Sequence, residues 1–338
     1  MSLAVKYRPR EFEDVCGQKS IIKILRRQIE SGDVSNCYLF CGPSGTGKTT
    51  LARIFADKVN QGQGTPIEID GASNNGVDNV RAIIESAKER ALDAKYKVFI
   101  VDEAHMVTTA GWNAFLKCIE EPPKYTVFIF CTTDPQKVPA TIQNRVMRFN
   151  LAKIPTEDIR GRLLEISRKE GFEHFDEACD YIAKVSNGGM RDAIAALEKC
   201  SKYSANLSID NVLSVLDGCS YKAYAELTNA ILDRKESIII DVIDDYYDAG
   251  KDMKAFIDGY LDFTLDLTKY CLFKTMKATR LPESFEIEMK YITGSDSGDN
   301  SKYFKHLANK ILGIKNMIRN DGNAKTTILV SLLNLWEK

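Results

Sequence analysis

Gly42-Pro43-Ser44-Gly45-Thr46-Gly47-Lys48-Thr49 has the spacing glycine, any four residues, then glycine-lysine-threonine, the arrangement that cradles the phosphates of a nucleoside triphosphate. Gly45 and Gly47 let backbone N–H groups close on phosphate oxygens with no Cβ in the way. A helix beginning near Lys48 aims its positive dipole end at the same charge. In this pattern Lys48 neutralises the β- and γ-phosphates, the Thr49 hydroxyl ligates Mg²⁺, and Thr50 completes the loop. A second cluster, Lys97-Val98-Phe99-Ile100-Val101-Asp102-Glu103, reads as a buried strand ending in two acids. Asp102 is placed to hold the metal through water. Glu103 is placed to orient and polarise an attacking water, which separates a hydrolase from a mere nucleotide binder.

Elements of the right kind surround these residues. Cys37-Tyr38-Leu39-Phe40-Cys41 is a short apolar run before the glycine loop, and Leu51, Ile54, Phe55 and Val59 recur at helical spacing after it. Further β-rich runs fall at 67–69, 98–101, 127–131 and 146–151, alternating with helical segments, which implies a parallel sheet covered by helices. After Pro155 every segment reads as helix, starting with Ile159, Leu163 and Ile166 behind Thr156 as N-cap. The expected organisation is therefore an α/β nucleotide-binding domain over 1–152, a small helical domain over 153–217, and a second helical domain over 218–338. Asp217-Gly218 supplies the turn between the two helical blocks, and residues 294–300, rich in Gly, Ser and Asp, form a loop in the last.

Composition narrows the setting. The 46 Lys and Arg residues against 47 Asp and Glu give a formal net charge of −1, so any nucleic-acid contact must come from a local patch. Nine scattered cysteines with no Cys-x-x-Cys pair point to reduced thiols, most of them small core residues, and away from a zinc module. No apolar stretch approaches the ~20 residues that span a bilayer. The opening Met1-Ser2-Leu3-Ala4-Val5-Lys6 turns charged at once where a signal peptide would have its apolar core. A cytoplasmic protein with no membrane partner is expected, in a host cytoplasm if the source is viral.

Several segments converge with the phosphate loop: Val5-Lys6-Tyr7-Arg8-Pro9-Arg10, Phe12, Asp14-Val15, Gly17-Gln18, Asp102-Glu103, Cys131-Thr132-Thr133-Asp134-Pro135-Gln136-Lys137, and Gly188-Gly189-Met190-Arg191-Asp192-Ala193. Together they closely resemble the bacterial DNA polymerase III gamma/tau family of AAA+ clamp-loader ATPases over about residues 1–218. Beyond that only helical character and length match the family's collar domain. The resemblance implies a P-loop AAA+ module with a five-stranded parallel sheet, a helical lid and an all-α collar that oligomerises. It implies that Val5, Tyr7, Arg8, Pro9 and Val15 frame the adenine. Thr133 becomes the polar sensor of the γ-phosphate, and Arg191 a second sensor reaching the phosphates from the lid. Arg145, flanked by Asn and Val where the family has Ser-Arg-Cys, becomes the arginine that completes a neighbouring subunit's site in trans. Cofactors are then ATP and Mg²⁺. The family's zinc-binding cysteines are replaced by Gln61-Gly62-Gln63-Gly64-Thr65-Pro66, so no zinc is expected.

The implied partners are a sliding clamp, other subunits of a hetero-oligomeric, pentameric ring, and primer–template DNA. Ser73-Asn74-Asn75-Gly76 precedes a helix near Val77 that lines the ring's interior in the family. These residues either cap the helix or offer donors to a DNA phosphate, with Arg81 one turn along. The chain ends at Trp336-Glu337-Lys338 with no acidic or Pro-rich tail, which matches the short form of the family. Two rivals remain. Asp102-Glu103-Ala104-His105 spells a helicase motif, but such helicases place nucleotide between two α/β halves, and no second strand-rich half follows residue 150. A AAA+ branch-migration motor should carry a winged-helix domain, for which the strand-free C-terminal region gives no support. A non-hydrolysing structural subunit has no need of Lys48, Thr49, Asp102, Glu103 and Arg145 together. His105 reads as a second-layer or core histidine.

Overall fold

Strands β1 (Cys37–Cys41) and β4 (Thr126–Thr132) are buried at every position, because each runs through the middle of a sheet with helices on both faces. The computed structural model describes residues 1–216, 221–294, 300–319, 321 and 323–336. With β2 (Ile67–Asp70), β3 (Lys97–Asp102) and β5 (Met147–Asn150) these strands form one five-stranded sheet in the order β2-β3-β4-β1-β5, every pairing parallel. The edge strands β2 and β5 bury a single side chain each, Ile69 and Phe149. The helices in chain order are α1 (Leu3–Lys6), α2 (Lys19–Ser31), α3 (Lys48–Val59), α4 (Val77–Lys88), α5 (Thr109–Glu120), α6 (Ala140–Gln143), α7 (Thr156–Glu170), α8 (Asp176–Val185), α9 (Met190–Tyr203), α10 (Ile209–Leu216), α11 (Tyr221–Asp233), α12 (Glu236–Asp248), α13 (Met253–Phe273), α14 (Glu286–Thr293), α15 (Ser301–Ile318) and α16 (Ala324–Leu333).

Alternation along the strands builds two apolar layers. Tyr38, Phe40, Ile100, Ile129 and Phe149 meet Leu25 of α2 and Leu51 and Phe55 of α3 on one face. Leu39, Phe99, Val101, Phe128 and Phe130 meet Trp112 and Phe115 of α5 on the other. These two layers fix β1, β3 and β4 in register, and all three end on the same edge of the sheet, where the chemistry-bearing residues emerge.

The helix after Pro155 differs by one position from expectation. Thr156 is its first residue, not its cap, and the Pro155 carbonyl accepts from the N–H groups of Asp158 and Ile159. Proline has no N–H to satisfy and its fixed φ suits a helix entry, so it takes the preceding position.

The chain divides into two compact units, Met1–Ile166 with Ser186–Ala195, and Ser167–Val185 with Ala196–Lys338. The first holds the sheet. The second is helical, with one isolated bridge between Glu173 and Asn206 and no named strand among the described residues. Its interior is aromatic: Tyr221, Tyr224, Phe256, Tyr260 and Phe263 form an interlocked set of rings. Within it the wholly buried Asp266 is met by Arg280 at 3.2 Å and Lys269 at 3.3 Å, so its charge is compensated. In the C-terminal apolar stripe Leu332 is buried, while Leu329 and Leu333 are half-buried.

The Asp217-Gly218 turn, residues 295–299 of the polar loop, and Glu337-Lys338 lie outside the described residues. So does Cys219. Of the other eight cysteines, seven are buried and Cys16 is half-buried, all as free thiols. Burial pushes the Cys37 thiol up to about 12 and raises Cys41, Cys118 and Cys131 as well, which leaves these sulfurs unreactive. Among the described residues no helix is long and apolar enough to cross a membrane.

Candidate active site

The phosphate loop leaves β1 at Gly42 and enters α3 at Lys48. A side chain at Gly42 would place its Cβ 2.5 Å from the Leu151 carbonyl oxygen, so the end of β5 can approach only a glycine. Gly45 sits in the left-handed region, φ +72°, and a Cβ there would lie 3.0 Å from the Gly189 Cα. That approach is sealed by the Met190 N–H, which donates to the Gly45 carbonyl at 3.0 Å. The start of α9 is thereby docked on the loop, and it brings Arg191 to the same cleft.

Lys48 is 7% exposed, and its Nζ donates to the Gly42 and Pro43 carbonyls at 2.8 and 2.9 Å. Burial lowers its pKa, with Cys131, Glu103 and Asp102 opposing. The Thr49 hydroxyl donates to Asp102 Oδ2 at 2.8 Å, and the other Asp102 oxygen accepts the Glu103 N–H at 3.0 Å. Glu103 follows β3 with φ +45° and ψ 43°, a left-handed conformation that costs a non-glycine residue about 1 to 3 kcal/mol. This turn swings its carboxylate toward the end of β4, where Oε2 lies 3.3 Å from the Thr133 hydroxyl. His105 Nδ1 is also 3.3 Å from that oxygen.

Lys48, Thr49, Asp102, Glu103, Thr133 and Arg191 line one cleft of about 240 Å³, together with Ser44, Gly45, Thr46, Gly47 and Thr50, whereas Gly42, Pro43 and His105 do not line it. Val5, Tyr7, Arg8, Pro9 and Val15 line it too. All of these residues belong to the first unit. A pair of hydrogen bonds between the Gln18 amide and the Ala152 backbone, at 2.7 and 3.2 Å, ties this N-terminal segment down beyond β5.

Arg162 on α7 is a lining residue that sequence reasoning missed. Its guanidinium donates to the Tyr7 carbonyl at 3.0 Å and to Glu165 at 2.6 Å, and its side chain is 13% exposed. Nothing local signals a pairing across 155 positions. Because a hydrogen bond from a charged donor contributes about 1.5 to 3 kcal/mol, Arg162→Leu should weaken ATP binding about tenfold by loosening the Tyr7 to Pro9 wall. Inorganic triphosphate, which lacks the base, should bind the variant and the parent equally by calorimetry. An equal loss for both ligands would assign Arg162 to general stability instead.

The remaining predicted residues lie elsewhere. Arg145 does not line this cleft; its Nε pairs with Glu120 at 2.8 Å and its Nη1 donates to the Thr141 carbonyl. Ser73 and Asn74 precede α4 but do not cap it, a correction to the capping reading. The Ser73 hydroxyl donates to Asp70 Oδ2 at 2.7 Å and the Asn74 amide to the Asp70 carbonyl at 3.1 Å, while Gly76 stands at the cap with no side-chain bond. The Asn75 carbonyl is taken by Thr108. Asp70, at the end of β2, draws the Ser73 hydroxyl with its charged carboxylate and the Asn74 amide with its backbone carbonyl. Arg81 is exposed and pairs with Asp78 at 3.2 Å.

A family model described as "DNA polymerase III, delta subunit" matches residues 63–155. The DNA polymerase III subunit tau of Bacillus subtilis is 34% identical over 286 residues, covering 78% of this chain and 51% of that protein. The DNA polymerase III subunit gamma of Buchnera aphidicola is 30% identical over 332 residues, 92% of this chain and 90% of that one. The chain belongs to the DNA polymerase III gamma/tau family. It spans about half the length of the gamma/tau relatives from Bacillus subtilis and Mycobacterium tuberculosis, the latter 32% identical over 292 residues. Among solved structures, the RuvB Holliday junction branch migration motor of Thermotoga maritima aligns with a TM-score of 0.53 at 24% identity, over 67% of this chain and 79% of that one. That likeness is one of fold, and with the five-stranded parallel sheet it makes the sheet-bearing part of this gamma/tau chain an α/β AAA+ module.

Proposed function

We propose that this chain is the ATPase motor subunit of a DNA sliding-clamp loader. The observation that carries the reading is the convergence of Lys48, Thr49, Asp102, Glu103, Thr133 and Arg191 on one cleft, in a chain of the gamma/tau family. Lys48 holds the β- and γ-phosphates, and Arg191 meets them from the start of α9. Glu103 orients water for in-line attack and draws off its proton as the new bond forms, while Thr133 fixes the γ-phosphate. Thr49 and Asp102 fit Mg²⁺: both present hard oxygens, already 2.8 Å apart, with room beside them in the cleft. The ion would supply charge neutralisation between the phosphates.

In this reading residues 1–152 are the motor domain, 153–217 the lid and 218–338 the oligomerising collar of a cytoplasmic, hetero-oligomeric, pentameric ring. ATP favours a spiral that opens the clamp and grips primer–template DNA near Ser73, Asn74, Asn75 and Arg81. Hydrolysis removes that bias and releases both. The likeness to a branch migration motor does not favour a helicase, since it extends to the fold alone.

The test is steady-state ATPase of the purified chain, alone and with its clamp, companion subunits and primed DNA, beside Glu103→Gln. Stimulation by clamp and primed DNA, lost in the variant, supports the motor. Tight ATP binding with no stimulated turnover would overturn it in favour of a structural subunit.

A further inference from the structure

Glu103 can orient water only if its carboxylate is itself held, and the hydroxyl that now holds it is needed elsewhere. Thr133 has a single O–H, and it points to Glu103 Oε2 at 3.3 Å. In the proposed reaction the same O–H must turn to the γ-phosphate. At that moment a second group is within reach of Oε2, His105 Nδ1, also at 3.3 Å. His105 is well placed for this. Its side chain is 14% exposed, in the short helical turn 104–106 that follows the left-handed Glu103. Its Nδ1 also lies 3.4 Å from the hydroxyl of Thr132, a wholly buried residue at the end of β4 whose oxygen accepts the Asp134 N–H. A lone pair on Nδ1 would face a carboxylate oxygen and be repelled, so the neighbouring charge selects the tautomer with its proton on Nδ1.

We propose that His105 is the positioning residue for Glu103: its Nδ1–H keeps the carboxylate aimed at the attacking water while Thr133 engages the γ-phosphate. This rests on the reading of Glu103 as the group that orients water. It assigns His105 no contact with nucleotide, so its loss should act on turnover and not on binding.

The experiment measures kcat, KM and ATP affinity for the full chain in its stimulated assembly, for the parent, His105→Ala, His105→Asn, His105→Gln and Glu103→Gln. An Asn amide nitrogen can occupy the place of Nδ1, whereas the longer Gln places its amide near Nε2. Misaiming a reacting group by about 1 Å costs on the order of 100-fold. The expected result is a 10- to 100-fold loss of kcat in His105→Ala and His105→Gln, about threefold or less in His105→Asn, with ATP affinity unchanged in all. Unaltered kcat in His105→Ala beside an inactive Glu103→Gln overturns the role of His105 and leaves that of Glu103 standing. Equal losses in the Ala and Asn variants also overturn it, since they would reflect packing. An active Glu103→Gln would instead bring down the underlying reading, and the proposal for His105 with it.

Discussion

Replacing Arg145 by alanine should leave the ATP affinity of the isolated chain unchanged and lower turnover of the assembled ring about 10³-fold, the lower end of what an arginine supplied in trans contributes. The expectation rests on where this side chain is. It lies outside its own cleft, 42% exposed, with its guanidinium braced by Glu120 and by the Thr141 carbonyl. A bracing carboxylate and carbonyl fix the direction of the fork while leaving other N–H groups available to a neighbour's phosphate. Titration of nucleotide into the lone chain and kcat in the assembly check the two halves separately. Ring turnover within about twofold of the parent would remove Arg145 from the mechanism, and Arg145→Lys should behave nearly as badly as alanine, since a point charge cannot reproduce the fork.

Lys48→Met should cost about 100-fold in ATP affinity while the protein stays folded. Methionine fills the same buried channel as the lysine stem, so the packing around α3 is kept. What is lost is one charge-assisted hydrogen-bonding group, worth about 1.5 to 3 kcal/mol, or roughly 10- to 100-fold. The upper end applies here because Nζ is already desolvated: it sits against the Gly42 and Pro43 carbonyls, and phosphate oxygens would replace those neutral acceptors with charged ones. Fluorescent-nucleotide titration measures the loss, and a thermal melt of the two apo proteins controls for folding. Affinity within threefold of the parent would show that the phosphates bind elsewhere.

The chemistry at the sheet's edge was legible because it is local. The glycine-lysine-threonine spacing, the apolar run before it and the acid pair after β3 are each complete within about ten residues, and periodicity alone put them on strands and at a helix start. What periodicity cannot carry is which distant segments meet. The order β2-β3-β4-β1-β5 sets β1 beside β5, and the Gln18 clamp on Ala152 and the Arg162 bond to Tyr7 likewise join residues more than 100 positions apart. Their side chains have no pattern that differs from ordinary surface polarity. His105 was read as a second-layer or core histidine, with the two left open. Only the left-handed turn at Glu103 brings it alongside that carboxylate, and positive φ at a glutamate has no sequence signature. Ser73 and Asn74 show the converse: residue types that favour helix caps were drawn to a nearby aspartate, which sequence proximity did not rank above the helix end.

The join between the phosphate loop and the start of α9 is made of main chain. The Met190 N–H meets the Gly45 carbonyl, and nearby the Ile154 N–H meets the Gly188 carbonyl. Neither bond depends on what side chain stands at 154 or 190, so both survive sequence drift there as long as the residue keeps an amide proton. Proline at either place would remove the donor outright. Relatives that have diverged to about a third identity could therefore inherit the same connection with few shared letters to mark it, and it would be invisible to any comparison that reads side chains alone.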